Sequence, residues 1–437
     1  MNGDAGSSTV AEPRPARAPA VRRAGWGILD QALSSLTNFA LAVVLAQRLD
    51  LFEFGATGIA FAVYLIAVNA SRALTTEPLT VRYSGSSRAA WRPAAASALG
   101  SSLVIGLAAG AVCVAVGVGL SGIVGLALVA LGLTLPGLLV QDAWRFAFFA
   151  AGLPRSAFAN DLAWAILLVP SLLAAQAMGE PGPWPYILAW GISGTGAALV
   201  GLAQARLVPA PFRFRAWLDE HRDIAPRYLV EFVVLSGAAQ IRLVLVAAIA
   251  DLSLVGALRG GQVLLGALHP LTYGLQLTLV PDAVRAARQS VATLRRRTIA
   301  LAAALALISV GFGIALYLLP DEIGRALLGQ TWDDARPTIP GQTLVMASAA
   351  VSLGALVGLR ALAAAGRSMR ARILASAIGI IGAVVGAMTR DPALCAAWIG
   401  VAVALGAVVW WREYIVALRL APTAGETATD GERLRQP

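Results

Sequence analysis

Five arginines lie inside apolar segments of the sequence, where a charged side chain needs a partner or an aqueous surface. They are Arg72, Arg145, Arg242, Arg259 and Arg360. A guanidinium held away from water binds phosphate or carboxylate oxygens through paired N–H donors. We therefore predict that Arg242, Arg72, Arg259 and Arg360 line a site for an anionic substrate. Arg242 lies deepest; the alternative for the other three is that they extend to the membrane surface.

Acidic and amide side chains lie in the same kind of segment. Asp30, Ser34 and Asn38 are spaced by four residues and form one polar stripe on a helix. We predict that Asn38, and also Asn69 three residues before Arg72, face the substrate site.

A carboxylate in a membrane is a candidate for binding H⁺ or Na⁺ in coupled transport. The two candidates are Asp30 and Glu231, which also lies on one helix face with Arg242. Asp30 is about one turn inside its segment, so its alternative is a solvated or capping carboxylate. For Asp142 and Arg145, three residues apart, we predict an ion pair at a helix end.

Other kinds of site are disfavoured. The chain has no lysine, which removes the P-loop lysine of nucleotide-binding sites. His221 and His269 share no metal-ligand spacing with cysteines or carboxylates, and Cys113 and Cys395 lie in apolar runs. We predict no metal, no cofactor and no enzymatic activity, because no soluble catalytic domain and no clustered nucleophile are present.

The elements that position these residues are membrane-spanning helices. The sequence of 437 residues is 58% hydrophobic and 13% charged, with a mean hydropathy of +0.73. Runs of about 20 apolar residues cross a hydrocarbon core of about 30 Å. We predict an all-α polytopic membrane protein with twelve helices, over residues 25–47, 54–74, 94–119, 121–142, 156–178, 184–207, 227–250, 253–280, 297–319, 340–363, 371–389 and 392–414.

The arginines also predict the orientation of these helices. Of the 34 arginines, 25 fall on one side of the predicted membrane and four on the other. Cytoplasmic segments carry the excess of positive charge, so both termini are predicted to be cytoplasmic. The net charge of +10 is therefore a feature of topology, and we expect no nucleic-acid partner.

The chain contains an internal repeat. A shift of 201 residues, without a gap, places Asp50-Leu51 on Asp251-Leu252 and Gly55-Ala56 on Gly256-Ala257. A parallel repeat predicts two pseudo-symmetric six-helix bundles with a substrate path between them. The predicted units are a disordered tail at 1–24, a bundle at 25–207, a cytoplasmic linker at 208–226, a second bundle at 227–414 and a cytoplasmic tail at 415–437.

The first helix pair resembles the start of Wzx-like flippases, which move lipid-linked oligosaccharides and belong to the multidrug/oligosaccharidyl-lipid/polysaccharide (MOP) exporter superfamily. The similarity lies in a polar first helix, an Ala-x-Arg-Leu end and the turn Glu53-Phe54-Gly55. Two further similar segments are Arg145–Gly152, followed by Leu-Pro-Arg-Ser-Ala, and Leu328–Trp332, followed by acidic residues. These motifs are loose, and no catalytic residue is carried over.

The resemblance implies a MATE/MOP-like fold in the inner (plasma) membrane and alternating access. The implied substrate is a polyprenyl-diphosphate-linked glycan moved to the outer leaflet, with a polymerase or glycosyltransferase as partner. The runner-up is a cation-coupled multidrug antiporter of the same superfamily, which an acidic, aromatic cavity would favour. A membrane scaffold for envelope assembly is the third class of function.

Overall fold

The computed structural model describes residues 20–232, 237–268, 283–287 and 289–420, and these contain helices but no strand. The α-helices are α1 Ala20–Arg48, α2 Leu51–Leu74, α3 Thr76–Tyr83, α4 Arg88–Leu120, α5 Gly122–Ala150, α6 Pro154–Met178, α7 Trp184–Ala205, α8 Phe214–Glu220, α9 Ala225–Phe232, α10 Ala238–Ile249, α11 Leu252–Leu265, α12 Val291–Tyr317, α13 Asp321–Leu328, α14 Thr331–Ala335, α15 Ile339–Ala361, α16 Ala365–Met388 and α17 Pro392–Leu420.

The prediction of an all-α polytopic membrane protein is confirmed. Ten helical segments among the described residues are long and apolar enough to cross a membrane. Two shorter apolar segments, Ala238–Ile249 and Leu252–Leu268, fall at the predicted seventh and eighth spans. The remainder of those two spans includes residues 233–236 and 269–282, which lie outside the described part of the chain.

Several predicted helix ends are wrong because helices continue past the apolar stretch. Helix α1 begins at Ala20, within the predicted disordered tail, and α17 continues to Leu420, beyond the predicted end at 414. The added turns of α17 carry the exposed Arg419, and an arginine can extend from a helix into the polar interface without breaking its hydrogen bonds. Helix α5 runs to Ala150 and not to 142, so Arg145 lies within it.

Small residues bring the helices of each bundle close together. A Cβ on Gly110 of α4 would overlap the carbonyl of Gly132 on α5, and a Cβ on Gly382 of α16 would overlap Ala402 of α17. Close approach of this kind is how helices associate in lipid, where no hydrophobic effect drives them together. Helix α5 is the centre of the first bundle, in contact with α2, α4, α6 and α7.

The two halves of the repeat meet at a reciprocal contact. A Cβ on Gly55 of α2 would overlap the carbonyl oxygen of Leu252, and a Cβ on Gly256 of α11 would overlap that of Leu51. Each glycine thus contacts the first residue of the other helix, at the positions that the shift of 201 residues aligns. This exchange of equivalent contacts is what a local two-fold relation between the bundles produces.

The repeated aspartates have a structural role beside this contact. Asp50 caps α2 by accepting a hydrogen bond of 2.7 Å from the Glu53 amide, and Glu53 accepts one of 3.1 Å from the Asp50 amide. Asp251 caps α11 by accepting one of 2.8 Å from the Leu254 amide. These side chains satisfy amide groups that a helix start leaves unpaired.

The end of α1 joins the second half of the chain near the same place. The Gln47 side-chain amide donates to the Ala326 carbonyl at 2.6 Å, and Gly329 packs against Ala46 and Gln47. At the opposite end of α2, the predicted linker is tied to the first bundle. Arg82 binds Asp223 at 2.6 Å, and the buried Trp217 donates to the Leu74 carbonyl at 3.0 Å.

Candidate functional site

The first bundle contains a buried ion cluster centred on Arg145. Its guanidinium contacts Asp30 of α1 at 2.6 Å and Asp161 of α6 at 3.6 Å, and it donates to the Gln31 side chain at 3.2 Å. Asp30 is 0% exposed and Asp161 is 6% exposed. Asp30 is therefore not the solvated carboxylate of the alternative interpretation: it is the buried partner of an arginine 115 residues away.

A second buried pair lies beside the first. Arg72 binds both carboxylate oxygens of Asp142, with an Nε–Oδ2 distance of 2.8 Å, and its guanidinium lies 5.0 Å from the centre of the Phe146 ring. The predicted pair between Asp142 and Arg145 is therefore wrong. Asp142 and Arg145 are neighbours on α5, but the Asp142 carboxylate pairs with Arg72 of α2 and the Arg145 guanidinium pairs with Asp30 of α1.

Two amide side chains that were not assigned to the predicted site hold this cluster. Gln141 donates to Asp161 at 2.8 Å, and the buried Asn160 donates to the Ala197 carbonyl at 2.8 Å. The signal was present: a glutamine and an asparagine inside apolar spans must find partners. Asn69, by contrast, donates to the Leu65 carbonyl of its own helix at 2.7 Å.

The charges of the cluster do not balance. Three carboxylates, Asp30, Asp142 and Asp161, face two guanidiniums, Arg72 and Arg145. If all five are ionised, one negative charge is in excess. The Oδ1 atom of Asp30 is buried and has no hydrogen-bond partner among the described residues. The arrangement can thus take up one proton or one small cation.

A small cavity adjoins the cluster on the side of α1. Its lining consists of Ser34, Thr37, Asn38, Asp161, Trp164 and Trp190. The structure therefore brings Asn38 to the same cavity as Asp161. Trp190 also contacts the rings of Tyr64 and Phe61 of α2, at centroid distances of 4.8 and 5.0 Å. The tryptophans were not predicted as site residues, because a tryptophan in an apolar span also fits ordinary packing.

The arginines of the second bundle differ from those of the first. The Arg259 guanidinium lies 5.5 Å from the centre of the Phe61 ring, across the contact between α11 and α2, and its buried Nε has no acceptor. Arg242 is half-buried against Gly379, and Arg360 is exposed near the end of α15. Within the described residues none of these three forms a hydrogen bond from its side chain or an ion pair.

The predicted site residues thus separate into two groups. Asp30 and Arg72 belong to the ion-paired first bundle, whereas Arg242, Arg259 and Arg360 belong to the second bundle and have no acidic partner among the described residues. Glu231 lies in α9, but its side chain is outside the described part of the structure. Among the described residues no cluster of histidine, cysteine and acidic side chains has the composition of a metal site.

Comparison with solved structures shows that the fold is similar to those of several transporters, at low sequence identity. An inward-facing multidrug resistance MATE family transporter superposes with a TM-score of 0.66 and 13% identity, over 88% of this chain and 95% of that one. The lipid II flippase MurJ, in an inward closed conformation, gives 0.64 and 13%, over 91% and 90%. A MOP superfamily transporter from Pyrococcus furiosus gives 0.57 and 12%, over 91% and 95%. No protein-family model and no curated sequence matches the chain.

Proposed function

We propose that this protein is a flippase that moves polyprenyl-diphosphate-linked oligosaccharide from the inner to the outer leaflet. The observation that carries the proposal is the set of arginines in the second bundle that have no carboxylate partner in the described part of the chain. The Nε of Arg259 is buried and lacks an acceptor there, and Arg242 is half-buried. A diphosphate supplies the oxygens that these donors lack, and a low-dielectric site strengthens each bond.

In the proposed mechanism the two bundles rock about the contact between Gly55 and Gly256. The contacts of α2 with α11 and of α1 with α13 hold the bundles together at the end that carries Arg48 and Asp251. With cytoplasmic termini, this end is the outer one and the site opens inward. The diphosphate first contacts Arg360 at the cytoplasmic end of α15 and then binds Arg242 and Arg259 deeper in the second bundle, while the lipid tail stays in the bilayer. The units 1–24, 25–207, 208–226, 227–414 and 415–437 are the proposed domains.

The ion cluster of the first bundle is the proposed coupling site. Its excess negative charge and the unpartnered Oδ1 of Asp30 favour uptake of H⁺ or Na⁺ on one side of the membrane. Glu231 is the second candidate carboxylate. In this scheme Arg72 holds Asp142 in place and does not bind substrate, which changes the role given to it from the sequence.

A second candidate function is cation-coupled antiport of small molecules. The observation that favours it is the acidic and aromatic lining of the cavity at Asp161, Asn38, Trp164 and Trp190, which suits a cationic ligand; the cavity has room for about one water molecule and would have to widen to admit a drug. The two proposals use opposite sides of the interface. The anionic substrate binds the arginines of the second bundle, whereas a cationic drug binds the carboxylates and tryptophans of the first.

The proposal is tested by leaflet-resolved labelling of lipid-linked sugar in the inner membrane of cells depleted of this protein. We expect the precursor to accumulate in the cytoplasmic leaflet and the wild-type gene to relieve this. Arg259→Gln and Arg242→Gln each remove a charged donor worth about 1.5–3 kcal/mol, so flipping falls about tenfold or more. Arg88→Gln is the matched control, because Arg88 is exposed and has no ion pair among the described residues.

Three outcomes would contradict the proposal. An unchanged leaflet distribution after depletion excludes flipping of that glycan. A rise in drug accumulation without any change in the precursor favours the antiporter. Full complementation by both arginine variants favours a scaffold in the assembly of the envelope, with a polymerase or glycosyltransferase as its partner.

A further inference from the structure

A groove lies on the second bundle between α15 and α17, away from the site described above. Its volume is about 750 Å³. Helix α15 contributes Leu344, Ala347 and Val351, spaced by three and four residues along one face. Helix α17 contributes a matching stripe that includes Val408, Ile415, Arg412 and Arg419.

The groove faces away from the interior of the bundle. On α15, Gln342 packs against Gly261 of α11, and Thr343 packs against Gly313 of α12. Leu344 lies on the remaining face of the helix, where it is 38% exposed. Across the groove Val408 is 65% exposed. Since these helices span the membrane, the occupant of this apolar groove is lipid.

One end of the groove is positively charged. Arg412 and Arg419 are seven residues apart, which places them two turns apart on the same face of α17. Both are exposed, and neither has an acidic partner among the described residues. The adjacent Glu413 is already paired with Arg367 at 3.0 Å. The two guanidiniums are therefore available to an external anion.

The length of the groove matches one leaflet. From Ala404 to Arg419 the lining of α17 extends over 16 residues, or about 22 Å. Half of a bilayer of about 40–45 Å, headgroups included, has the same thickness. The groove thus offers an apolar channel for an acyl chain, with Arg419 at the depth of a phosphate group and Arg412 about 10 Å deeper, from where its side chain can extend toward that level. Trp411 fixes one wall by donating to the Val351 carbonyl at 3.0 Å.

We infer that this groove binds an anionic phospholipid as a resident ligand. Its phosphate contacts Arg412 and Arg419, and one acyl chain lies against Val408 and Leu344. The occupant is a membrane phospholipid and not the transported lipid, because the groove lies on the outer face of the bundle and ends within one leaflet. This inference does not depend on the proposed function.

Native mass spectrometry of the full chain in detergent micelles tests the inference, with dioleoylphosphatidylglycerol and dioleoylphosphatidylcholine as probes. We expect one phosphatidylglycerol to bind at least tenfold more tightly than phosphatidylcholine. Arg412→Gln/Arg419→Gln removes this preference, whereas the control Arg88→Gln keeps it. Val408→Trp fills the groove without changing its charge, and we expect it to weaken binding of both lipids tenfold.

The melting temperature of each variant shows whether it is folded, and Val408→Trp serves as the test if the double arginine variant is not. The inference is overturned if wild type binds both phospholipids equally, or if the folded double variant keeps the preference. It is also overturned if Val408→Trp binds phosphatidylglycerol as the wild type does. Displacement of phosphatidylglycerol by an equal concentration of a polyprenyl phosphate would assign the groove to the transported lipid and overturn the inference too.

Discussion

Replacement of Arg145 by glutamine is the most informative perturbation of the ion cluster. The guanidinium is 17% exposed and contacts Asp30, which is 0% exposed, at 2.6 Å. Its loss leaves Asp30 and Asp161 buried without their shared cation. Breaking a buried pair by removing one partner costs about 3–5 kcal/mol, because the remaining charge is uncompensated. We expect a loss of this size in the free energy of unfolding.

The assay is equilibrium unfolding in mixed micelles, with a double-mutant cycle. Asp30→Asn removes the other charge of the pair, so the double variant Asp30→Asn/Arg145→Gln lacks the uncompensated carboxylate. We expect its destabilisation to be smaller than the sum of the two single effects by about 1–3 kcal/mol.

The matched control is Arg325→Gln, which breaks a pair with Asp333 of 2.9 Å in which both side chains are more than half exposed. An exposed pair of this kind contributes about 0.2–1 kcal/mol. If Arg145→Gln costs no more than Arg325→Gln, or if the effects of Asp30→Asn and Arg145→Gln simply add, the reasoning from buried charge is refuted.

Three further predictions concern a close helix contact, an aspartate with a lowered pKa and a buried tryptophan. Gly55→Ala pushes a methyl group into the Leu252 carbonyl, and we expect the free energy of unfolding to fall by about 1–3 kcal/mol. Gly311 has open space around it, so the control Gly311→Ala is expected to raise the free energy of unfolding by about 0.5–1 kcal/mol. If Gly55→Ala and Gly311→Ala change this free energy equally, the close contact at Gly55 is contradicted. Hydrogen bonding by the Trp332 indole, with Arg336 nearby, lowers the pKa of Asp321 below its ordinary value. Ionised Asp321 therefore stabilises the fold above a pH of about 4, and this stabilisation is lost as the pH falls through the lowered pKa. Thermal melts at a series of pH values should show that the melting temperature of Asp321→Asn falls less at acidic pH than that of the wild type. Identical pH dependence in the two proteins would argue against a stabilising role for ionised Asp321. Trp217→Phe leaves the Leu74 carbonyl without its donor and should cost about 1–3 kcal/mol in the same unfolding assay, whereas an unchanged value would mean that water replaces the indole.

The sequence was sufficient for the ten long apolar helices because hydropathy acts on whole segments. The shift of 201 residues aligned Gly55 with Gly256 but did not predict that these glycines meet, which only the structure shows. Ends of helices were less predictable: at Ala20 and Leu420, arginine-bearing turns continue a helix where the apolar pattern has already stopped.

Ion-pair partners were beyond the sequence because they depend on how helices face each other. Spacing of three residues made Asp142 and Arg145 an attractive pair, yet Asp142 binds Arg72, 70 residues away, and Arg145 binds Asp30. Local spacing says which groups can meet within one helix, whereas a buried guanidinium takes the partner that best replaces its hydration. Three-dimensional proximity decides that choice.

The contact between Gly55 and Gly256 lies near one end of α2, so most of this helix extends to one side of the contact. From Gly55 to the end of α2 at Leu74 there are 19 residues, or about 28 Å of helix. A rotation of about 10° at the contact therefore displaces the far end by roughly 5 Å, whereas the glycines themselves hardly move. In the proposed rocking of the bundles, this contact would therefore be the pivot, with the large displacements at the opposite end of α2.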